Sequence, residues 1–219
     1  MKIFWLVLYI VASAIHLYHS WKDDANKRRL TKPFLLVFLI LFYLFSGKQI
    51  KIFLLLALIF SWLGDVLLIP KGHGWFTAGG ISFLAAHVCF VLLYAGQVTF
   101  SAVNWAVAIP AAAVYIAVTA AILWMLRGKT PKPMFVPMFL YLLANATMNV
   151  FALMQLLCNP CAGSAVAYCG AVLFYISDCS LYLNKFYEKP IVFKKHFTIM
   201  LTYILGEFLI TLGMLMLGK

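Results

Sequence analysis

Eight stretches of this chain are apolar for about the length of a bilayer crossing, and that repetition constrains the fold more than any other feature. A transmembrane helix needs about 20 predominantly apolar residues, with a tolerance of several. Such runs fall near 3 to 19, 33 to 47, 50 to 69, 75 to 96, 102 to 126, 134 to 157, 163 to 184 and 196 to 217. Helices are the expected form, because in lipid every backbone donor and acceptor must be satisfied within the segment. The expected fold is therefore all-α, a polytopic membrane protein with eight transmembrane helices. Little chain is left between the runs, so 1–219 reads as a single transmembrane domain. The composition agrees, with 65% hydrophobic and 11% charged residues and a mean hydropathy of +1.00.

Lys and Arg set the orientation, since short loops rich in them stay on the cytoplasmic side. The connections after the first, third, fifth and seventh runs hold 13 of the 17 basic residues, leaving Lys2, Lys48, Lys51 and Lys219 on the other side. Both termini are then expected to face away from the cytoplasm, in an integral, multi-pass protein of the inner membrane if the source is a bacterium. The net charge of +11 reads as topology and contact with anionic headgroups of the bilayer. With no basic soluble module, no nucleic-acid partner is expected. Lys2, the first apolar run and Ala12-Ser13-Ala14 imitate a signal peptide. The cluster Lys22, Lys27, Arg28, Arg29 and Lys32 just downstream opposes that orientation, and the segment reads as the first helix.

The chain also carries a repeat. TKPFLLVFLILFYL at Thr31 and PKPMFVPMFLYLLA at Pro131 both place Lys-Pro at a cytoplasmic entry, where proline in a first turn removes no helical hydrogen bond. LGDVLL in the third run and ISDCSL in the seventh each set a small residue before an Asp and a Leu three residues after it. Two parallel four-helix halves would account for this, an arrangement known among membrane proteins.

The two repeated carboxylates are Asp65 and Asp178. Asp65 lies five residues from Pro70 and Asp178 seven from Lys185, which puts both roughly 8 to 10 Å inside the cytoplasmic ends of their helices. An unpaired Asp at a helix centre costs about 2.5 to 3.5 kcal/mol on insertion scales, so something must compensate each. The compensation can be an interhelical hydrogen bond or snorkelling, but two carboxylates at one depth point to a site. Ser61, one turn before Asp65, and Ser177, directly before Asp178, are expected hydrogen-bond supports. His87, the pair Asn145 and Asn149, and the face Tyr203, Glu207 and Thr211 would line a polar cavity within the bundle. Each alone also suits a structural role, with Glu207 protonated.

Metal chemistry has thinner support. His16 and His19 are three apart, but no His-Glu-x-x-His and no second paired-His motif follows, and such a pair near an interface is usually amphipathic packing. No metal site is assigned. Cys158-Asn-Pro-Cys161 has the spacing of a redox pair, in a loop expected outside the cytoplasm, where a disulfide and two idle thiols are equally compatible with the sequence.

Together, Lys32-Pro33, Ser-x-x-Gly-Asp at 61 to 65, Phe-x-x-Ala-His at 83 to 87, Gly170-Ala171 followed by Leu173-Phe174 and Ser177-Asp178, and a last helix centred on Tyr203 resemble the YhhN-type lysoplasmalogenases. The resemblance runs from the second helix to the eighth. It implies hydrolysis of the vinyl ether of a lysoplasmalogen to a fatty aldehyde and glycerophospho-ethanolamine or glycerophospho-choline. The implied reaction needs no metal or cofactor, and the two Asp residues act in it. The chain departs from the pattern at Gly206-Glu207, where an Ala-Gln pair is expected, and this leaves a role for an amide there open.

The chemistry suits such residues. A vinyl ether reacts by slow protonation of its β-carbon, giving an oxocarbenium ion that water captures. A buried carboxylic acid beside a like charge can hold its proton near neutral pH, and a second, ionised carboxylate can stabilise the cation and accept a proton from water. One of Asp65 and Asp178 is then the acid and the other the base. His87, Asn145 and Asn149 would position water or the glycerol backbone, and Lys32 or Lys132 would sit near the phosphate. The expected partners are a lysophospholipid and the bilayer. A homodimer is compatible with the sequence, although nothing marks an interface. The competing reading is a proton-coupled small-molecule transporter using the same carboxylates, to which the repeat and the Gly-rich turn at Lys71-Gly72-His73-Gly74 would suit.

Overall fold

The computed structural model describes residues 1–47, 49–187 and 192–218, so Lys48, Lys189 and Lys219 of the charge pattern lie outside the described residues. Eight helices follow one another, with no strand among the described residues: α1 (Lys2–Trp21), α2 (Ala25–Leu44), α3 (Ile52–Leu67), α4 (His73–Ala95), α5 (Trp105–Leu126), α6 (Lys132–Cys158), α7 (Ala162–Phe186) and α8 (His196–Leu217). A single 3-10 turn, Phe100–Ala102, precedes α5.

The eight helices differ in how well they suit a bilayer crossing. Six of these helices, all but α2 and α3, are long and apolar enough to cross a membrane. Helix α3 has 16 residues, about 24 Å at 1.5 Å per residue. Helix α2 starts eight residues before the apolar run at 33, because the Asp24 side chain caps it by accepting the Lys27 backbone N–H at 3.2 Å. Its first two turns therefore carry Lys27, Arg28, Arg29 and Lys32. Pro33 consequently stands inside α2, whereas Pro133 sits in the first turn of α6. The two Lys-Pro pairs are alike in sequence but not in helical position. An internal proline removes the N–H that would bond the carbonyl four residues back, here that of Arg29.

Glycines set how closely the helices approach. A Cβ on Gly170 of α7 would lie 2.6 Å from the Ile210 backbone nitrogen of α8, so only glycine allows these backbones to meet, as small residues do in membrane helix pairs. On α3, a Cβ on Gly64 would fall 2.5 Å from the Phe83 ring of α4. The neighbours run α1 on α2, α2 on α3 and α3 on α4, then α5 on α6, α6 on α7 and α7 on α8, with α4 against α6 and α8 against α2.

Apolar side chains cover the outside as well as the core: Val114 and Ile116 of α5 are each 61% exposed, a surface made for lipid. The polar residues are inside. Asp65, Asp178, His87, Asn145, Asn149 and Glu207 are all buried, the pattern that marks functional or paired groups in a membrane bundle.

Candidate active site

The charged first turns of α2, the C-terminal ends of α3 and α7 and the beginning of α8 enclose a cavity of about 640 Å³. Both Asp65 and Asp178 line it. It opens among the basic residues that the charge pattern assigns to the cytoplasmic side.

Asp65 projects from the last turn of α3, beside Gly64, whose missing side chain admits the Phe83 ring. Its Oδ1 lies 3.0 Å from Lys32 Nζ of α2, and its Oδ2 accepts a hydrogen bond from the Tyr203 hydroxyl of α8 at 2.8 Å. Three helices thus meet on one carboxylate. A charge-assisted contact of this kind is roughly twice as strong as a neutral one, and it compensates a negative charge at Asp65.

Asp178, on α7, has a different set of partners. Its Oδ2 accepts from the Tyr141 hydroxyl at 2.7 Å and from Asn145 Nδ2 at 2.6 Å. Tyr141, Asn145 and Asn149 recur every four residues on α6 and so share a face. Asn149 Nδ2 donates to Asn145 Oδ1 at 3.1 Å, which turns the Asn145 amide so that its N–H faces the carboxylate. His87 Nε2 lies 3.4 Å from the same Oδ2. The other ring nitrogen, Nδ1, is 2.7 Å from the Phe83 carbonyl and must donate to it. A neutral His87 therefore turns its Nε2 lone pair toward Asp178. Nε2 forms no hydrogen bond at that separation, and a proton placed between the two groups would join them.

The residues expected from sequence are placed unequally. Asp65, Asp178, Lys32, Ser177 and Tyr203 line the cavity, while His87, Asn145 and Asn149 stand behind Asp178. No hydrogen bond joins the two carboxylates among the described residues; each has its own partners. Ser177 does not support Asp178, because its hydroxyl donates to the Ile199 carbonyl of α8 at 3.0 Å. Ser61 is fully buried and faces Glu207, so it does not hold Asp65 either. Lys132 is exposed at the start of α6 and is not part of the cavity wall. Lys32 is in the wall, but its ammonium is engaged by Asp65.

Glu207 lies one turn deeper on α8 than Tyr203, fully buried beside the Ser61 hydroxyl. No salt bridge among the described residues brings a cation against it, so burial there favours the neutral acid over the ion. Thr211, below it, bonds back to the Glu207 carbonyl at 2.8 Å. Sequence reasoning missed Tyr141, although the four-residue spacing to Asn145 and Asn149 could have found it. It also missed Arg28, Arg29 and His16 in the cavity wall.

Polar side chains also meet at the far side of the bundle. Lys51 Nζ and Gln155 Nε2 both donate to Gln97 Oε1, at 3.3 and 3.0 Å. Nearby, the Cys158 thiol donates to the Thr99 carbonyl at 3.3 Å, and Cys161 Sγ lies 3.5 Å from Ser164 Oγ. Among the described residues no three His, Cys, Asp or Glu side chains converge as metal ligands would.

A model of the YhhN family matches residues 27–214, which takes in every residue of the two carboxylate environments. Neither the curated proteins nor the solved structures give a match.

Proposed function

Because the chain belongs to the YhhN family, we propose that it is a lysoplasmalogenase, hydrolysing the vinyl ether of a 1-alkenyl lysophospholipid to a fatty aldehyde and the glycerophospho-headgroup. The observation that carries this reading is the pair of differently partnered carboxylates on one cavity ringed by basic side chains. The resemblance read from the sequence assigns the same two Asp residues to the reaction.

The roles follow from the partners. The proton shared by Asp178 and His87 is delivered by Asp178, the member of the pair that lines the cavity, to the β-carbon of the vinyl ether. The C=C electrons form the new C–H bond, and positive charge develops on the ether carbon and oxygen. Asp65, ionised beside Lys32, stabilises that charge electrostatically. Water adds to the ether carbon and loses its proton to Asp178, restoring the acid. The hemiacetal then collapses: its hydroxyl proton leaves, the C–O bond to glycerol breaks, and the glycerol oxygen takes up a proton. Tyr141 and Asn145 hold Asp178 in place, and Tyr203 holds Asp65.

All eight helices are proposed to cross the membrane in two parallel halves, with both termini away from the cytoplasm. Within each half, consecutive helices are neighbours, and the halves meet where α4 packs on α6 and α8 packs on α1 and α2. The test is aldehyde release from a 1-alkenyl lysophospholipid by the purified protein in detergent with chelator present. Release is expected; proteoliposome uptake of a small solute without any aldehyde would replace this reading with transport.

A further inference from the structure

Helix α4 packs its backbone on α3 and α6, and α7 packs chiefly on α6 and α8. Where α4 and α7 face each other at the basic end of the bundle, rings fill the space instead of backbones. The Phe76 ring of α4 stands edge-on to the Tyr182 and Phe186 rings of α7, with centroids 6.1 and 5.9 Å apart. These rings close a narrow seam, whose other walls are Gly80 and Leu84 of α4 and Met134 and Met138 at the start of α6. Its free volume is about 20 Å³, room for one water molecule.

The seam runs from the site to the lipid-facing surface. Phe76 is a wall of both the seam and the carboxylate cavity. The Tyr182 ring lies 5.4 Å, between centroids, from that of Tyr141, whose hydroxyl donates to Asp178. One side chain therefore separates the inner end of the seam from the proton donor. At the outer end Ile81 is 57% exposed. The cavity wall carries Arg28, Arg29 and Lys32, whereas no charged side chain among the described residues lines the seam.

The walls can part without moving a helix. A Cβ on Gly80 would meet nothing nearer than the Tyr182 hydroxyl oxygen at 4.0 Å. Pro137, also in the wall, withholds the N–H that would bond the Pro133 carbonyl, which loosens that turn of α6. Phe76 and Phe186 are only half-buried, so a change of rotamer is enough to widen the gap.

An alkenyl chain with its reacting carbons at Asp178 has to keep the rest of its length out of water. We infer that the seam between α4, α6 and α7 holds that chain: the hydrocarbon tail of a single-chain lipid displaces the Phe76 ring and runs from Asp178 to the bilayer, and the freed fatty aldehyde leaves the same way. This rests on the lysolipid reading above and adds the place of the tail.

The experiment maps the tail by photocrosslinking. The probe is a non-cleavable 1-hexadecyl lysophosphocholine with a diazirine at mid-chain, irradiated with the purified protein in a neutral detergent, and the labelled residues are located by mass spectrometry. Label is expected on Ile81 or Leu84 of α4 and on Met134 or Met138 of α6, and excess unlabelled hexadecyl lipid should remove it. Label confined to the α3 and α8 side of the cavity, at Leu68 or Met200, would overturn the inference. So would seam label that excess lipid does not displace, the mark of a bilayer lipid or detergent lying on the surface. Gly80→Phe fills the seam and should weaken binding of the hexadecyl lipid about tenfold, the equivalent of about two buried methylenes. Tyr182 is one turn, about 6 Å, beyond Asp178, so a butyl lipid ends short of the seam and should be weakened far less. Undiminished binding of the hexadecyl lipid would contradict the inference, and if Gly80→Phe does not fold, the label map of the unaltered protein decides alone. Cleavage of the 1-alkenyl counterpart is read in parallel. Displaceable seam label without aldehyde would sink the hydrolase reading and keep the seam, and aldehyde with label elsewhere would do the reverse.

Discussion

Asp65 and Asp178 share a cavity but differ in almost everything that touches them. Asp65 faces a cation and one phenol; Asp178 faces a phenol, an amide and an imidazole whose other nitrogen is committed to a carbonyl. An ammonium beside a buried carboxylate fixes its charge, whereas an imidazole beside one gives a proton two homes. The contrast separates an electrostatic group from a proton donor. Unlike environments are how two carboxylates of one site come to play different roles in enzymes.

The contrast can be broken most forcefully by removing the proton donor. Asp178→Asn should lower kcat for aldehyde release by about 10³-fold or more, the upper part of the range for general acid catalysis. Asp65→Asn should cost less, about 10²-fold, because the proton remains available. Equal losses would erase the distinction between the two roles. Next comes His87→Phe, which leaves Asp178 without its proton partner; a loss of about 10²-fold in kcat with little change in KM is expected. An unchanged kcat would move the proton elsewhere.

The cation on the other side is probed by stability. Lys32→Met leaves Asp65 unpaired in the interior and should lower unfolding stability by about 3 kcal/mol, the scale for breaking a buried pair. Adding Asp65→Asn to Lys32→Met should recover most of it, since no charge is then left alone. Tyr203→Phe and Tyr141→Phe sharpen the comparison at a smaller scale. Each removes one hydrogen bond to a carboxylate, worth about 1 to 2 kcal/mol, and the rate effect should be larger for Tyr141→Phe, the one beside the proton donor.

The smallest effect belongs to the surface pair of Arg28 and Asp23, at 2.6 Å with Asp23 78% exposed. The hydrogen bond from Arg28 holds the Asp23 carboxyl below its ordinary value near 4. A carboxylate with a depressed folded value contributes stability above its unfolded value, and that contribution is lost as pH falls through the folded one. Solvent screening keeps it under about 0.5 kcal/mol. Asp23→Asn should therefore change the thermal midpoint at neutral pH hardly at all, in contrast to Lys32→Met.

The helices were legible in the sequence because a bilayer imposes a length that soluble proteins do not. The start of α2 was not, since Lys27, Arg28 and Arg29 read as a loop until the Asp24 cap is seen to turn them into a helix. The two carboxylates were legible as charges that lipid does not tolerate alone. Their partners were less so. Ser177 and Asp178 are adjacent on a helix and so point about 100° apart, which is why Ser177 reaches Ile199 instead. The contact of Lys32 with Asp65 depends on how α2 packs on α3, and no spacing within either segment encodes it.

The most direct measurement is a short reaction of the purified protein with a 1-alkenyl lysophospholipid in D2O, with the aldehyde trapped and its deuterium located by mass spectrometry. Protonation at the β-carbon by the Asp178–His87 pair predicts one deuterium on the carbon next to the aldehyde group, and almost no labelled aldehyde from Asp178→Asn. Aldehyde without deuterium at that carbon, or labelled aldehyde formed at an undiminished rate by Asp178→Asn, would contradict the account.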